Sequence, residues 1–202
     1  MKIYCATSNA GKLAEFRRAA ERLQNPAIDI EPLPSMASIK PCEETGPTFE
    51  ENAVLKAEYY SAGAGRLVFA EDSGLEVNAL GGQPGICSAR WSGPAASDAS
   101  NNQLLLERLS DSRDRSARYV CVAALARDGR VIETFRGEAE GHILEQPRGQ
   151  AGFGYDPLFF YPPLALTFAE LDMDAKFQVS HRGRAFRALL DYVQSGPLQE
   201  SE

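Results

Sequence analysis

The chain has 202 residues, of which 44% are hydrophobic, and a formal net charge of −7. This length and composition suit one globular domain with a substantial buried core. The negative charge argues against tight binding to a nucleic-acid backbone. It allows a small phosphate ligand, because a few Lys and Arg side chains can gather in one cleft, and a polyphosphate would need a divalent cation beside it.

The four cysteines, Cys5, Cys42, Cys87 and Cys121, lie far apart and form no C-x-x-C pair. This spacing argues against structural zinc and against a disulfide framework, and buried thiols are expected at Cys5 and Cys121. The N-terminus turns polar too soon for a signal peptide. The longest apolar run, 119–126, is far shorter than the ~20 residues of a membrane span. We therefore expect a cytoplasmic protein with no membrane or nucleic-acid partner.

In the first third of the chain, apolar spacing predicts a strand over 3–6 and a helix over 12–23, joined by the polar turn 7–11. A second strand is expected over 28–33. Thr48 and Glu51 have the T-x-x-E spacing of a capping box, so a helix should follow to about Ala62.

Further along, a buried strand is predicted over 67–70, ending at Glu71-Asp72-Ser73-Gly74, with another extended segment over 75–80. A helix is predicted over 98–109. It is followed by a hairpin whose strands are 118–126 and 131–135 and whose turn is Asp128-Gly129. A rigid aromatic loop is predicted at 152–157, and a last helix capped by Ser180. Helices combined with a hairpin indicate an α/β fold whose central sheet is mixed and flanked by helices. We expect residues 1–196 to form one domain and 197–202 a flexible tail.

The segment Thr7-Ser8-Asn9-Ala10-Gly11-Lys12 lies between a predicted strand and a predicted helix. Backbone N–H groups at a helix N-terminus suit phosphate, and Lys12 would add a cation. The segment is not a Walker A loop, because the first Gly and the hydroxyl residue after Lys are missing. An ordinary N-cap with a solvated lysine is the alternative.

Four carboxylates, Glu43, Glu44, Glu71 and Asp72, could serve the hydrolysis of a phosphoanhydride. This reaction requires oxygen ligands for Mg²⁺ and a base or metal that activates water. Side chains of successive residues in an extended segment diverge, so Glu71 and Asp72 need not act as a pair. The alternative is an ordinary Asp-Ser-Gly turn.

The loop Phe153-Gly154-Tyr155-Asp156, together with Lys176, His181 and Arg182, has the residue types of a base-binding site. An aromatic ring between glycines can stack on a base, and nearby donors with one carboxylate can read its edge. The alternative is a core aromatic ring, a capping Asp and a basic first helical turn, with a structural or solvated histidine. Lys56, taken alone, would be a solvated lysine.

Together these segments resemble the inosine triphosphate pyrophosphatase family, which cleaves ITP, dITP and XTP. The matching stretches, in the family's order and spacing, are TSNAGK at 7–12, EETGPTFEENAVLKA at 43–57, EDSGLEVNALGGQPGICSARWSG at 71–93, FGYDPLFF at 153–160 and SHRGRA at 180–185. The resemblance runs through nearly the whole chain. It implies two lobes with the active-site cleft between them, and a homodimer.

The resemblance also implies roles for individual residues. Glu44 and Asp72 would bind Mg²⁺, and Asp72 would in addition act as the general base. It implies that the triphosphate binds Ser8, Asn9, Lys12, the loop that contains them, and Lys56. Ser73 would also contact the substrate, and Phe153 would stack on the base. The edge of the base would be recognised by Asp156, Lys176, His181 and Arg182. Hypoxanthine and xanthine carry an acceptor at position 6 where adenine carries a donor, so pocket donors would reject ATP.

The chain departs from the family pattern at Ser8, where Gly is usual, at Glu71, where many bacterial members have Asp, and at Ala151, where Gly is frequent. Two rival functions remain open at this point. One is a pyrophosphatase for modified pyrimidine or other damaged triphosphates. The other is a regulatory protein that binds a nucleotide without hydrolysing it.

Overall fold

The computed structural model describes residues 1–7, 9–22, 28–34, 36–62 and 65–196. Its centre is a sheet of seven strands in the order β2-β1-β3-β4-β5-β6-β7. The strands are β1 (Lys2–Cys5), β2 (Asp29–Pro32), β3 (Leu67–Val77), β4 (Ser116–Arg127), β5 (Arg130–Ile143), β6 (Phe159–Tyr161) and β7 (Leu166–Thr167). The predicted tail at 197–202 and the predicted helix end at Leu23 lie outside the described residues.

Five α-helices pack on this sheet: α1 (Ala10–Arg22), α2 (Phe49–Ser61), α3 (Asp98–Arg108), α4 (Met173–Val179) and α5 (His181–Gln194). The predicted caps are confirmed. Thr48 Oγ1 accepts from Glu51 N at the start of α2, and Ser180 Oγ accepts from Gly183 N at the start of α5. Among the described helices, none combines the length and the apolar character that crossing a membrane requires.

The sheet is mixed, as predicted. β1 runs parallel to β2 and β3, and the pairs from β3 to β7 are antiparallel. The predicted hairpin of β4 and β5 is confirmed and is longer at both ends than its apolar core indicated. Its turn places Asp128 and Gly129 at φ +52° and +76°, the backbone that tight hairpin turns require.

The predicted strand end at Asp72 is wrong. β3 continues unbroken from Leu67 to Val77 and pairs with β4 along this whole length, so Asp72 lies in mid-strand opposite Val122. Gly74 forms no turn; it lies where a Cβ atom would collide with Ser88 and Gly85. The absent side chain therefore allows close packing against β3, rather than a reversal of the chain.

The faces of β3 differ, because side chains alternate along a strand. Leu67 and Phe69 join a core under α1 and α5, and Leu75 and Val77 join a second core on the same face. Between these cores the same face carries the polar residues Glu71 and Ser73. The opposite face is covered by α2 around a third core. The first two cores correspond to the two expected lobes, and the polar interval between them is the cleft.

Candidate functional site

One cleft on the α1–α5 face collects most of the predicted substrate-binding residues. The predicted residues that line it are Asn9, Lys12, Ser73, Phe153, Gly154, Tyr155, Asp156, Lys176, His181 and Arg182. It is also lined by Gly74, Ser88, Ala89, Asp98, Asn101 and Tyr119, which were not predicted. Lys56, Glu44 and Asp72 lie together at a separate cluster on the α2 face.

The N-terminal segment forms a capped helix start rather than a bare loop. Asn9 Oδ1 accepts from Lys12 N at 3.0 Å, and Thr7 Oγ1 accepts from Asn9 N at 3.2 Å. The alternative of an ordinary N-cap is therefore correct for Asn9, although Asn9 also lines the cleft. Ala10 and Gly11 form the first turn of α1, and Ser8 lies outside the described residues.

Lys12 is not a solvated lysine. Its ammonium forms an ion pair with the carboxylate of Glu71, which is buried beneath α1 on the same face of β3 as Ser73. Burial alone would raise the pKa of Glu71, but Lys12 and Arg182 outweigh it and hold that pKa well below its usual range. Lys12 therefore lies at the cleft with its charge balanced by Glu71.

Arg182, Lys176 and Glu15 form a buried ionic network at the floor of the cleft. Arg182 Nη1 lies 2.6 Å from Glu15 Oε2, and Lys176 Nζ lies 3.0 Å from Glu15 Oε1. Lys176 also reaches Asp156 Oδ2 at 2.6 Å, and Arg182 Nη2 donates to Ser73 Oγ at 3.0 Å. Burial would raise the pKa of Glu15, but Arg182 and Lys176 lower it, so this carboxylate stays ionised.

The aromatic loop positions Phe153 at the mouth of this network. Asp156 Oδ2 accepts from Phe153 N at 2.9 Å, which closes the loop on itself. The Phe153 ring lies beneath Lys176 Nζ and the Arg182 guanidinium, with 4.7 and 5.3 Å to its centroid. A Cβ atom on Gly11 would lie 3.2 Å from the ring, so Phe153 closes against the start of α1.

His181 is neither solvated nor charged. Its ring is buried and stacks on Tyr119 with 4.5 Å between centroids and 6° between planes. Burial, with Arg182 and Lys176 nearby, lowers its pKa well below the usual value. A neutral imidazole carries one N–H donor and one acceptor, and Nδ1 has no hydrogen-bond partner among the described residues.

The opposite face of β3 carries a second polar cluster around Lys56. Its Nζ lies 2.9 Å from Asp72 Oδ1 and 3.2 Å from Glu44 Oε1. Asn52 Nδ2 contacts Asp72 Oδ2 at 3.4 Å, while Asn52 Oδ1 accepts from Gly46 N at 2.8 Å. α2 thus supplies the lysine and the amide that orient Asp72.

The buried cation of this second cluster is Lys56, and the exposed Arg90 adds a longer ion pair, with its Nη1 3.8 Å from Glu44 Oε2. Burial raises the pKa of Asp72, and Lys56 offsets that rise only in part. The pKa of Lys56 is raised despite its burial, because Asp72 and neighbouring carboxylates favour its charge. We conclude that Lys56 is cationic and that the two carboxylates, Glu44 and Asp72, retain capacity for a further cation.

The donor set fits Mg²⁺ bound together with a substrate. Among the described residues, no group of three or more His, Cys, Asp or Glu side chains could hold a metal by itself. Mg²⁺ is usually bound through one or two carboxylates plus substrate phosphates. Glu44 and Asp72, which converge on one lysine, match that pattern.

Sequence reasoning missed Glu15 and Asn52. Glu15 looks like a solvated helical residue, but its position three residues after Lys12 places it on the inner side of α1. Asn52 is a polar residue amid the buried positions Phe49, Ala53 and Lys56 of α2. Buried helical periodicity could have indicated both.

The model of the Ham1 family matches residues 3–192. A dITP/XTP pyrophosphatase of Acidobacterium capsulatum is 51% identical and is matched over 94% of this chain and 97% of its own. A dITP/XTP pyrophosphatase of Thermus thermophilus is 46% identical, over 98% of this chain and 94% of its own.

Solved structures agree with these relatives. A HAM1 protein from Coxiella burnetii superimposes with a TM-score of 0.86 at 39% identity, and the match covers 97% of this chain and 100% of that one. A nucleoside-triphosphatase/dITP/XTP pyrophosphatase from Mycobacterium abscessus gives a TM-score of 0.73 at 41% identity, over 94% and 99% of the two chains. The fold expected from the sequence is thereby confirmed.

The buried neutral state of His181 predicts a pH dependence of stability. Below pH ~6.5 the unfolded chain binds a proton at this imidazole and the folded chain does not. The free energy of unfolding therefore decreases as the pH is lowered, by up to about 1.4 kcal/mol per pH unit. Urea unfolding between pH 7.5 and 5.5 measures this slope. We expect it to be shallower in His181→Gln.

The second histidine provides the control, because His142 lies half-buried on β5 away from the cleft. His142→Gln controls for the loss of an imidazole elsewhere in the chain. Equal slopes for His181→Gln and the wild type would contradict a neutral His181.

Proposed function

Because this chain belongs to the Ham1 family, we propose that it hydrolyses the deaminated purine triphosphates dITP, ITP and XTP to the monophosphate and pyrophosphate. Removal of these nucleotides keeps their bases out of DNA and RNA. The observation that carries the proposal is the edge of β3 beyond β1, which has no strand partner among the described residues; on one side of it lies a cleft suited to a base, and on the other a carboxylate pair suited to a metal.

This edge exists because β1 is short. β1 pairs with β3 only at Tyr4–Val68 and Cys5–Phe69, and Ala6 N donates to Phe69 O. β3 is next covered on that side at Leu75, whose N–H donates to Ser88 Oγ at 2.9 Å. Between these two points, no hydrogen bond to the main chain of Glu71 or Ser73 is found on that side among the described residues.

This interval of β3, 70–74, also lies just beyond the carboxyl end of the parallel strand β1. In open α/β sheets, ligands bind in the crevice outside the carboxyl ends of the strands. A nucleotide that crosses the edge would place its base among Phe153, His181 and Arg182 on one face. Its polyphosphate would then reach Asp72 and Lys56 on the other.

The start of α1 suits the phosphates. It presents backbone N–H groups and the positive end of the helix dipole at the carboxyl end of β1. Thr7, Asn9 and Lys12 would contact the chain of phosphates, together with Ser8, Ala10 and Gly11 of the same segment, and Ser73 would contact the substrate from β3. Phosphate oxygens would replace Glu71 as the ion-pair partner of Lys12.

Asp72 is suited to act as the general base. Burial raises its pKa, and a base whose pKa lies nearer the working pH takes a proton more readily. Water attacks phosphorus, the phosphoanhydride bond breaks, and Asp72 accepts the proton of the water. Glu44 and Asp72 would hold Mg²⁺, which supplies charge neutralisation on the phosphates and a Lewis acid.

The base cleft favours an acceptor at purine position 6. Arg182 Nε is buried, lies 4.0 Å from Glu71 Oε2 and has no hydrogen-bond partner among the described residues. The 6-oxo group of hypoxanthine or xanthine would satisfy such a donor, whereas the amino group of adenine would leave it unpaired at a cost of about 1–3 kcal/mol. Tyr155, Asp156 and Lys176 complete the cleft around Phe153.

Three further proposals rest on the resemblance and the sequence. Residues 1–196 form one domain, the protein assembles as a homodimer, and it works in the cytoplasm. The sheet contains strands from both ends of this range, which supports the first of them. The acidic composition of the chain supports a small-molecule substrate rather than a nucleic acid.

A panel of triphosphates tests the function against its rivals. Pyrophosphate release is measured for ITP, dITP, XTP, dUTP, 5-methyl-UTP and ATP, with Mg²⁺ and with EDTA. We expect release from the three deaminated purine nucleotides, faster than from ATP by about tenfold or more, and none with EDTA. Faster release from the pyrimidines would identify a different base pocket. Binding of ITP without any release would identify a regulatory protein.

Asp72→Asn should reduce kcat for ITP by about 100-fold or more, since positioned general bases contribute about that factor. The amide keeps the size of the side chain, so calorimetry should still detect ITP binding. Glu76→Gln is the matched control, because Glu76 lies on the same face of β3 and pairs with Arg118 instead. Near wild-type turnover in Asp72→Asn would remove Asp72 from catalysis.

Arg182→Ala should narrow the ITP-over-ATP ratio of kcat/KM by about tenfold, because the buried donor that distinguishes the two bases is gone. Both substrates are assayed in the variant and in Arg187→Ala. Arg187 lies on the same helix but donates to Phe177 O away from the cleft. An unchanged ratio in Arg182→Ala would exclude Arg182 from base recognition.

A further inference from the structure

The main chain at the centre of the loop 153–156 forms hydrogen bonds with side chains outside the loop. Gly154 N donates to Asp98 Oδ2 at 2.7 Å, and Gly154 O accepts from Asn102 Nδ2 at 2.9 Å. Both partners lie on α3, four residues apart and therefore on one side of the helix. A single peptide segment beside Phe153 is thus held at its donor and at its acceptor by one helix.

α3 is itself firmly anchored. Ser97 and Ser100 form a reciprocal capping box at its N-terminus, and Leu105 is fully buried. Asn101 accepts from Ser92 N and donates to the carbonyls of Ser88 and Ala89, both of which line the cleft. α3 therefore connects two walls of the base cleft.

We propose that Asp98 and Asn102 are positioning residues for base binding, which act by fixing the backbone at Gly154 so that Phe153 is held where the base stacks. This inference rests on the proposed function. Gly154 has a φ of +63°, and nothing lies within 4 Å of where a Cβ atom would be, so packing on that side does not restrain it. The two hydrogen bonds from α3 supply that restraint, and the neighbouring Phe153 ring follows the backbone.

The two hydrogen bonds from α3 to Gly154 affect substrate binding rather than the chemical step. Asp98 and Asn102 bind a loop on the base side of β3, whereas Asp72 and Lys56 lie on the opposite face. A looser loop weakens stacking in the ground state and in the transition state alike. Such a uniform loss raises KM and leaves kcat unchanged.

The test measures kcat and KM for ITP in Asp98→Ala and Asn102→Ala. We expect KM to rise by about tenfold or more in Asp98→Ala, which loses a hydrogen bond to a charged group, and by about fivefold in Asn102→Ala, which loses a neutral one. In both variants kcat should stay within about threefold of the wild type. Asp98 is exposed, so its variant should fold, and thermal unfolding checks both proteins. Asp98→Asn keeps an acceptor for Gly154 N and should restore KM to near the wild-type value.

Gln103→Ala is the matched control, because Gln103 is on the same helix, is exposed, and contacts only Glu107 among the hydrogen bonds found for its side chain. It should behave as the wild type. An unchanged KM in folded Asp98→Ala, or a fall in kcat with KM constant, would overturn the positioning role. Failure of the wild-type protein to hydrolyse ITP would instead overturn the proposed function, so the two failures are distinguishable.

Discussion

The alternation of side chains along β3 is the constraint on which the rest of the structure depends. Glu71 and Ser73 face the cleft under α1 and α5, while Asp72 between them faces α2. A continuous strand cannot direct neighbouring side chains to one face. Two different chemical environments therefore lie back to back, one with donors suited to a base and one with carboxylates suited to a cation, separated by the thickness of one strand.

Each environment contains buried charges, and their pairing determines which of them a ligand can use. On the cleft side, Arg182 and Lys176 share Glu15, and Lys12 pairs with Glu71. Burying an unpaired charge costs several kcal/mol, so these partners offset that cost and orient the cations in the absence of ligand. On the α2 side, Lys56 and the more distant, exposed Arg90 face Glu44 and Asp72. In the proposed function, the cleft binds the neutral, polar-edged base and the α2 side binds the cation.

Much of the fold followed from local sequence signals, because the helix caps and the hairpin turn are themselves local. The features that depend on tertiary contacts were harder to predict from the sequence. Asp-Ser-Gly after an apolar run is typical of a turn, and only pairing with β4 shows that β3 continues through it. Glu15 looked solvated because its partners, Lys176 and Arg182, follow far later in the chain. The cleft residues were assembled through family resemblance, since distances between remote segments are not encoded in any one of them.

The short β1 gives this arrangement its functional meaning. If β1 paired with β3 as far as Gly74, the edge at 70–74 would be closed and the two faces would be isolated from each other. Because β1 ends at Cys5 and leads directly into the N-terminus of α1, the open edge is flanked by a helix dipole and by Lys12. A nucleotide is a ligand with a flat, polar-edged base at one end and a metal-binding polyphosphate at the other. In the proposed function, this edge, which has no strand partner among the described residues, connects the two environments that these ends require, which an uninterrupted sheet could not do.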